Sequence, residues 1–176
     1  YAKKNPQDAF EKGYVYLLAD EFTNQNEVPL GQKTVKLLNQ LGYGVQIPKG
    51  IVTGRSFISK GMLIEAKALA NSNVDQLSAI ITAEHPLVGI EPSALLTFRD
   101  EIPSLVDADK REQAEQLKPN CLLIDEFIAR EFKAGRISSD SFHGKQQKIL
   151  LHGHCHQIVR ETRTTHRSFK KAWTCP

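Results

Sequence analysis

The sequence contains few cysteines and no long hydrophobic segment. Its three cysteines, Cys121, Cys155 and Cys175, are widely spaced and form no Cys-x-x-Cys pair. This pattern excludes a disulfide framework and a complete zinc finger. The longest apolar runs, such as residues 15–19, are far shorter than the roughly 18 residues of a membrane-spanning helix.

Net charge is also small, at +3 for 176 residues. Residues 157–176 contain five bases and one acid, so the other 156 residues sum to −1. We therefore expect no nucleic-acid partner. The chain begins Tyr-Ala-Lys-Lys, without Met or an apolar secretory core. This start predicts an internal part of a larger cytoplasmic protein.

The 40% hydrophobic and 24% charged residues are typical of a folded globular chain. Short apolar runs alternate with amphipathic stretches, and the runs predict strands at residues 13–19, 44–47, 87–90 and 148–151. Strands that alternate with helices pair in parallel. The sequence therefore predicts a three-layer, parallel-sheet, Rossmann-like α/β domain, with the start of a second similar half at residue 148.

Helices are predicted between these strands from apolar spacing and from turn residues. The predicted segments are residues 31–41 ending at Gly42, a stripe from Ile58 to Leu69, a second stripe from Val74 to Ile81 after a break at residues 71–73, a helix opening at Pro92 and Ser93, and residues 119–133. Asn73 and Gln76 are placed as a capping pair for the second stripe. Cys121 is predicted to pack in the core from a helical face.

Three histidines and a cysteine follow the predicted fourth strand, in His152-Gly-His-Cys-His156. Imidazole and thiolate suit zinc or an iron–sulfur centre. We expect Cys155 to have a metal-related role, with His152, His154 and His156 as further candidate ligands. The alternative is a buried thiol beside solvated histidines, because alternate residues of an extended loop point in different directions.

Ligands in open parallel sheets bind beyond the carboxyl ends of the strands. Four segments follow the predicted strands, namely Glu21, residues 53–55, residues 91–93 and residues 152–156. We expect Glu21, Glu91 and Cys155 to lie in one cleft at this edge. The alternatives are solvated or salt-bridged carboxylates, a surface ion pair for Arg55, and a helix cap rather than a nucleophile for Ser93.

Four segments carry a resemblance to a known family: Val15-Tyr-Leu-Leu-Ala-Asp-Glu-Phe-Thr-Asn24, Gly54-Arg-Ser-Phe-Ile-Ser-Lys-Gly61, Leu87-Val-Gly-Ile-Glu-Pro-Ser-Ala-Leu-Leu-Thr-Phe-Arg-Asp-Glu101 and Leu150-Leu-His-Gly-His-Cys-His-Gln157. The chain resembles the cysteine-rich (CCG) domain of heterodisulfide reductase subunits and of glycolate oxidase iron–sulfur subunits. It is most similar to the C-terminal region of FAD-linked oxidases fused to an iron–sulfur module, as in D-lactate dehydrogenase-like enzymes.

The family has two similar halves, each with an early Cys and a Cys-Cys-Gly, and in the fuller form a Cys-Pro-Ser-Cys. In this chain those positions carry Glu21, Val52-Thr-Gly54 and Glu91-Pro-Ser-Ala94, so the first half has lost its thiolates. Cys155 matches a ligand of the second half. The resemblance thus implies Glu21, Glu91 and Cys155 as cofactor-facing positions. It also divides the chain into a first half at 1–107, a helical connection at 108–145, and a truncated second half at 146–176.

The resemblance implies an electron-transfer module of an FAD-linked 2-hydroxy-acid oxidoreductase, such as a lactate or glycolate dehydrogenase. It implies a [4Fe–4S] cluster and FAD in the full-length protein and no cofactor in this chain alone, because one thiolate is too few for a cluster. The implied partners are a flavin-containing oxidase domain, a ferredoxin-like iron–sulfur domain and a peripheral membrane electron acceptor, in the cytoplasm or at the inner face of the membrane. Two alternatives stay open: a zinc hydrolase using the histidine cluster with Glu21 or Glu91, and a metal-free α/β interaction module.

Overall fold

The structure is a computed structural model that describes residues 10–142. Four short strands form one sheet in this part of the chain, and at least one helix follows each strand. The elements in order are β1 (Tyr14–Leu17), α1 (Glu21–Gln25), α2 (Val28–Gln40), β2 (Gly44–Gln46), α3 (Arg55–Ser59), α4 (Leu63–Leu77), β3 (Leu87–Gly89), α5 (Pro92–Thr97), α6 (Ile102–Leu105), α7 (Arg111–Leu117), β4 (Cys121–Leu123) and α8 (Ile124–Lys133). Three short 3₁₀ helices cover Ala108–Lys110, Lys118–Asn120 and Ser139–Ser141.

The sheet has the order β2-β1-β3-β4, and all of its pairs are parallel. This arrangement confirms the α/β class and the predicted strands at residues 13–19, 44–47 and 87–90. The strand predicted at residues 148–151 lies outside the described residues. The chain divides into two compact units, with the boundary between Leu123 and Ile124. The division predicted at residues 107 and 145 stays a prediction.

Strand β1 is buried on both of its faces. Successive side chains of a strand point to opposite faces, and all four residues from Val15 to Leu18 are buried. Tyr16 lies in register with Leu87, and Leu87 with Cys121, so these three side chains form a row across one face. Helical residues such as Val74 pack against this row in the main hydrophobic core.

Helix α2 shows how local sequence signals set the bounds of an element. It begins at Val28 with Pro29 in its first turn, three residues earlier than predicted. It ends as predicted before Gly42, where the Tyr43 N–H donates to the Leu38 carbonyl at 2.9 Å. A bond of this kind satisfies a carbonyl that the helix end leaves open.

The predicted break at residues 71–73 is wrong, because α4 runs without interruption from Leu63 to Leu77. Asn73 is not a cap: it is buried inside the helix, and its Nδ2 donates to the Val52 carbonyl at 2.8 Å. Gln76 donates to Ser72 on the same helix. The side chain of Asn73 therefore satisfies a backbone carbonyl of the loop after β2. This hydrogen bond explains why asparagine, a poor helix former, is tolerated inside α4.

The predicted helix at residues 119–133 is partly wrong. Cys121–Leu123 forms strand β4, and the helix begins only at Ile124. Strand β4 pairs with β3 through the register Val88 to Leu122. The side chain of Cys121 is fully buried, which confirms its predicted core role, although it packs from a strand.

In the second unit, Glu131 of α8 is buried between two arginines. Its carboxylate accepts hydrogen bonds from Arg130 Nε at 3.0 Å and from Arg136 Nε and Nη2 at 2.5 and 2.9 Å. A buried carboxylate is tolerated when charged donors satisfy its oxygens in this way. Among the described residues, no helix has both the length and the apolar character needed to cross a bilayer.

Candidate functional site

The candidate site lies at the carboxyl ends of β1 and β3. These strands are neighbours in the sheet. After β1 the chain continues to β2, on one side of this pair, and after β3 it continues to β4, on the other side. Ligands of open α/β sheets bind at such a reversal of strand order. Glu21 follows β1 and begins α1, and Glu91 follows β3 and caps α5. The structure therefore places both predicted glutamates at the ends of adjacent strands.

Glu21 links the end of β1 to the loop that follows β2. Its Oε1 accepts hydrogen bonds from the Thr53 backbone N–H at 3.0 Å and from Thr53 Oγ1 at 3.2 Å, and its Oε2 lies 3.0 Å from the same hydroxyl. Thr53 is 2% exposed, so these bonds are largely shielded from water. The carboxylate of Glu21 holds together two loops that are 32 residues apart in the sequence.

The next residues of that loop continue the polar network. Gly54 has a φ of +77°, a left-handed conformation that favours glycine, and it is the N-cap directly before helix α3. Arg55 Nη1 then lies 2.5 Å from Glu101 Oε1, and the two side chains are 25% and 33% exposed. The alternative given for Arg55, an ion pair, is the one observed, with Glu101 as the partner.

Glu91 caps helix α5, the role that the sequence had suggested for Ser93. The Glu91 Oε1 atom accepts hydrogen bonds from the Ser93 N–H at 3.1 Å and from Ser93 Oγ at 2.7 Å. Ser93 is therefore the hydrogen-bond donor, and Glu91 is the N-cap that accepts. Both bonds lie within the first turn and satisfy one of the free N–H groups at the start of α5.

Asp20 is a residue of this edge that the sequence analysis did not single out as a functional or capping residue. It is 2% exposed, and its carboxylate accepts from the N–H groups of Phe22 and Thr23 and from Thr23 Oγ1, at 2.9, 3.1 and 2.6 Å. An aspartate directly before the first helical residue, followed by an acidic residue in the first turn, is a helix-start signal that could have located α1. The Glu21–Thr53 link carried no such local signal.

Metal-binding capacity is low in the described part of the chain. Within residues 10–142, no group of three or more His, Cys, Asp or Glu side chains is placed to hold a metal ion. Burial raises the pKa of Cys121 from 9.0 to about 12, so this thiol stays protonated and is a poor ligand. The predicted ligands His152, His154, Cys155 and His156 lie outside the described residues.

Comparison with known proteins finds distant similarity to dehydrogenases. A subunit of the anaerobic glycerol-3-phosphate dehydrogenase of Escherichia coli K12 is 24% identical over 158 residues, which are 89% of this chain and 38% of that protein. D-2-hydroxyglutarate dehydrogenase of Pantoea ananatis is 24% identical over 145 residues, which are 82% of this chain and 13% of that protein. The Pseudomonas putida protein of the same name is 30% identical over 99 residues, which are 54% of this chain and 10% of that protein.

No family model matches the sequence, and no solved structure matches it. The similarity therefore relates this chain to oxidoreductases, while the resemblance to the cysteine-rich domain stays a prediction. The chain spans well under half the length of the relatives it matches.

Proposed function

We propose that this chain is an electron-transfer module of an FAD-linked oxidoreductase acting on a small 2-hydroxy acid. The observation that carries the proposal is the similarity, over 82% and 89% of the chain, to two proteins named as dehydrogenases. The parallel sheet order of residues 14–123 supports a three-layer, Rossmann-like first half. In the proposal, a second half begins at residues 146–176. Lactate and glycolate are candidate substrates from the resemblance, and the relatives' names add D-2-hydroxyglutarate.

The residues of the described part do not fit an iron–sulfur cluster. Glu21, Thr53 and Glu91 stand where the resemblance implies thiolates, and their oxygens already take part in the hydrogen bonds of this edge. Cys121 is buried and protonated. The Glu21–Thr53 bonds join the loops after β1 and β2, and the Glu91–Ser93 bonds close the turn after β3.

In the proposal, any cluster is held by residues of the second half, with Cys155 as one ligand and His152, His154 and His156 as further candidates. The complete enzyme would also contain the flavin domain and a ferredoxin-like domain, and would transfer electrons in the cytoplasm to an acceptor at the membrane surface. Glu21 and Glu91 would line the cleft near the cluster without binding iron.

Metal analysis tests the proposal. The 176-residue chain, purified in air, should contain less than one metal per chain and should show no visible iron–sulfur absorption, because a thiolate without a closed ligand set binds metal weakly. In the complete enzyme, Cys155→Ala should weaken the cluster signal and slow electron transfer from the flavin. Cys175→Ala is the matched control and should change neither property.

The opposite result would favour the zinc hydrolase. One tightly bound zinc per chain, kept on Cys155→Ala but lost on His154→Ala, would show that a histidine site is complete within 176 residues. No described contact favours that alternative, since the carboxylates of Glu21 and Glu91 accept hydrogen bonds from Thr53 and Ser93. A complete enzyme whose cluster is unaffected by Cys155→Ala would contradict the proposed role of this residue.

A further inference from the structure

The loop that follows β2 lies along helix α4 and contacts it at two points one helical turn apart. The Val52 carbonyl accepts a hydrogen bond from Asn73 Nδ2 at 2.8 Å. Two residues later in the loop, a Cβ atom added at Gly54 would lie 3.8 Å from Leu69 Cβ. The loop and the helix therefore run side by side in opposite directions here.

Both polar groups of the Val52–Thr53 peptide unit are bonded to side chains from distant parts of the chain. Its carbonyl accepts from Asn73, and its N–H donates to Glu21 Oε1 at 3.0 Å. The C=O and N–H of a trans peptide point in opposite directions, and this peptide is trans. Asn73 of α4 and Glu21 of α1 therefore hold the same peptide from opposite sides.

These hydrogen bonds are shielded from water, since Asn73 is 1% exposed and Thr53 is 2% exposed. Loss of either side-chain partner would leave a buried backbone group without a hydrogen bond, which is unfavourable. A metal ion that bound Glu21 Oε1 would compete with the Thr53 N–H for this oxygen. Metal binding by this atom would therefore loosen the loop.

We infer that Glu21 and Asn73 are positioning residues that fix the loop after β2 without a metal ion or cluster. The resemblance implies thiolates at residue 21 and within residues 52–54, and in this chain hydrogen bonds join the same two segments. The loop is therefore preformed at the edge where ligands of α/β sheets bind. This inference goes beyond the proposed redox function and does not depend on Cys155.

Hydrogen exchange followed by NMR in the 176-residue chain tests the inference. The readout is the ratio of the exchange rates of the Thr53 amide and the Leu18 amide, which bonds to Val88 in the sheet. This ratio separates local opening of the loop from unfolding of the whole domain. Asn73→Ala and Glu21→Ala should each raise the ratio at least about tenfold. Glu21→Gln keeps an oxygen acceptor for the Thr53 N–H and should restore most of the protection.

Asn71→Ala is the matched control, because Asn71 lies on the same helix but bonds to Asp107. It should leave the exchange ratio unchanged. The ratio should also stay the same in excess EDTA and after incubation with ferrous iron and sulfide. Three results would overturn the inference: equal effects of Asn71→Ala and Asn73→Ala, equal effects of Glu21→Gln and Glu21→Ala, or a change of the ratio with EDTA or with iron and sulfide.

Discussion

At the residue scale, single carboxylates connect distant parts of this chain. Glu21 bonds to Thr53, and Glu101 bonds to Arg55 across 46 residues of sequence. The Glu21–Thr53 bonds are the better shielded from water, because Thr53 is buried whereas Arg55 and Glu101 are partly exposed. Exposed ion pairs contribute little to stability, so we expect Thr53 to matter more than Arg55.

Thr53→Val tests this expectation. Valine keeps the shape of threonine but removes the hydroxyl that Glu21 binds, so the free energy of unfolding should fall by about 1–2 kcal/mol. Thr34→Val is the matched control: Thr34 is also buried, but its hydroxyl donates only to the Leu30 carbonyl one turn earlier in α2. Urea unfolding of both variants measures the difference, and an equal loss in the two would contradict a special role for the Glu21–Thr53 link.

At the scale of elements, α1 packs closely against α2. A Cβ atom added at Gly31 of α2 would lie 2.9 Å from Thr23 Cγ2 of α1. Thr23 is buried and cannot rotate freely, because its hydroxyl donates to Asp20 at 2.6 Å. The two helices therefore fit together only with glycine at this position.

Gly31→Ala should lower the free energy of unfolding by about 1–2 kcal/mol, because the steric overlap exceeds the gain of about 1 kcal/mol in helix propensity. Thr23→Ser removes the Cγ2 methyl and keeps the hydroxyl. The double variant Thr23→Ser/Gly31→Ala should therefore recover most of the loss. Thermal and urea unfolding of the single and double variants measure this coupling, and simple additivity of the two changes would contradict the close contact.

At the scale of the whole molecule, burial of titratable groups makes stability depend on pH. Burial raises the pKa of Cys121 from 9.0 to about 12, with a smaller opposing effect of Arg99. Burial also raises the pKa of Tyr16 from 10.0 to about 12, and Tyr14 adds to this shift. At a pH between the unfolded and the folded pKa of each group, the folded chain holds a proton that the unfolded chain has lost. The two groups therefore leave the free energy of unfolding unchanged below about pH 9, and they lower it as the pH rises towards 12.

For Cys121 alone, this loss should reach about 1 kcal/mol at about pH 10. Urea unfolding at about pH 8 and about pH 10 measures the loss, and Cys121→Ala removes the contribution of the thiol. The variant should therefore show the smaller decrease between the two pH values. An equal decrease would mean that the thiol ionises in the folded state as readily as in the unfolded one.

The sequence alone predicted the three strands β1, β2 and β3, because each is a short apolar run between turn residues. It also predicted the end of α2, since Gly42 is a local signal, and the positions of Glu21 and Glu91, which follow from the rule about strand ends. These features depend on residues close together in the chain. An ion pair of Arg55 was an expected alternative, but its partner Glu101, 46 residues away, was not predicted.

Only the tertiary structure decided three features: the strand conformation of Cys121–Leu123, the continuity of α4 and the hydrogen-bond partner of Glu21. Three apolar residues suit a helix or a strand equally, and the hydrogen bonds to β3 select the strand. Asn73 stays inside α4 because the Val52 carbonyl, 21 residues earlier, accepts its hydrogen bond. Thr53 meets Glu21 because β1 and β2 pair side by side. Contacts between distant residues supply the free energy in each case, and local residue patterns carry no record of them.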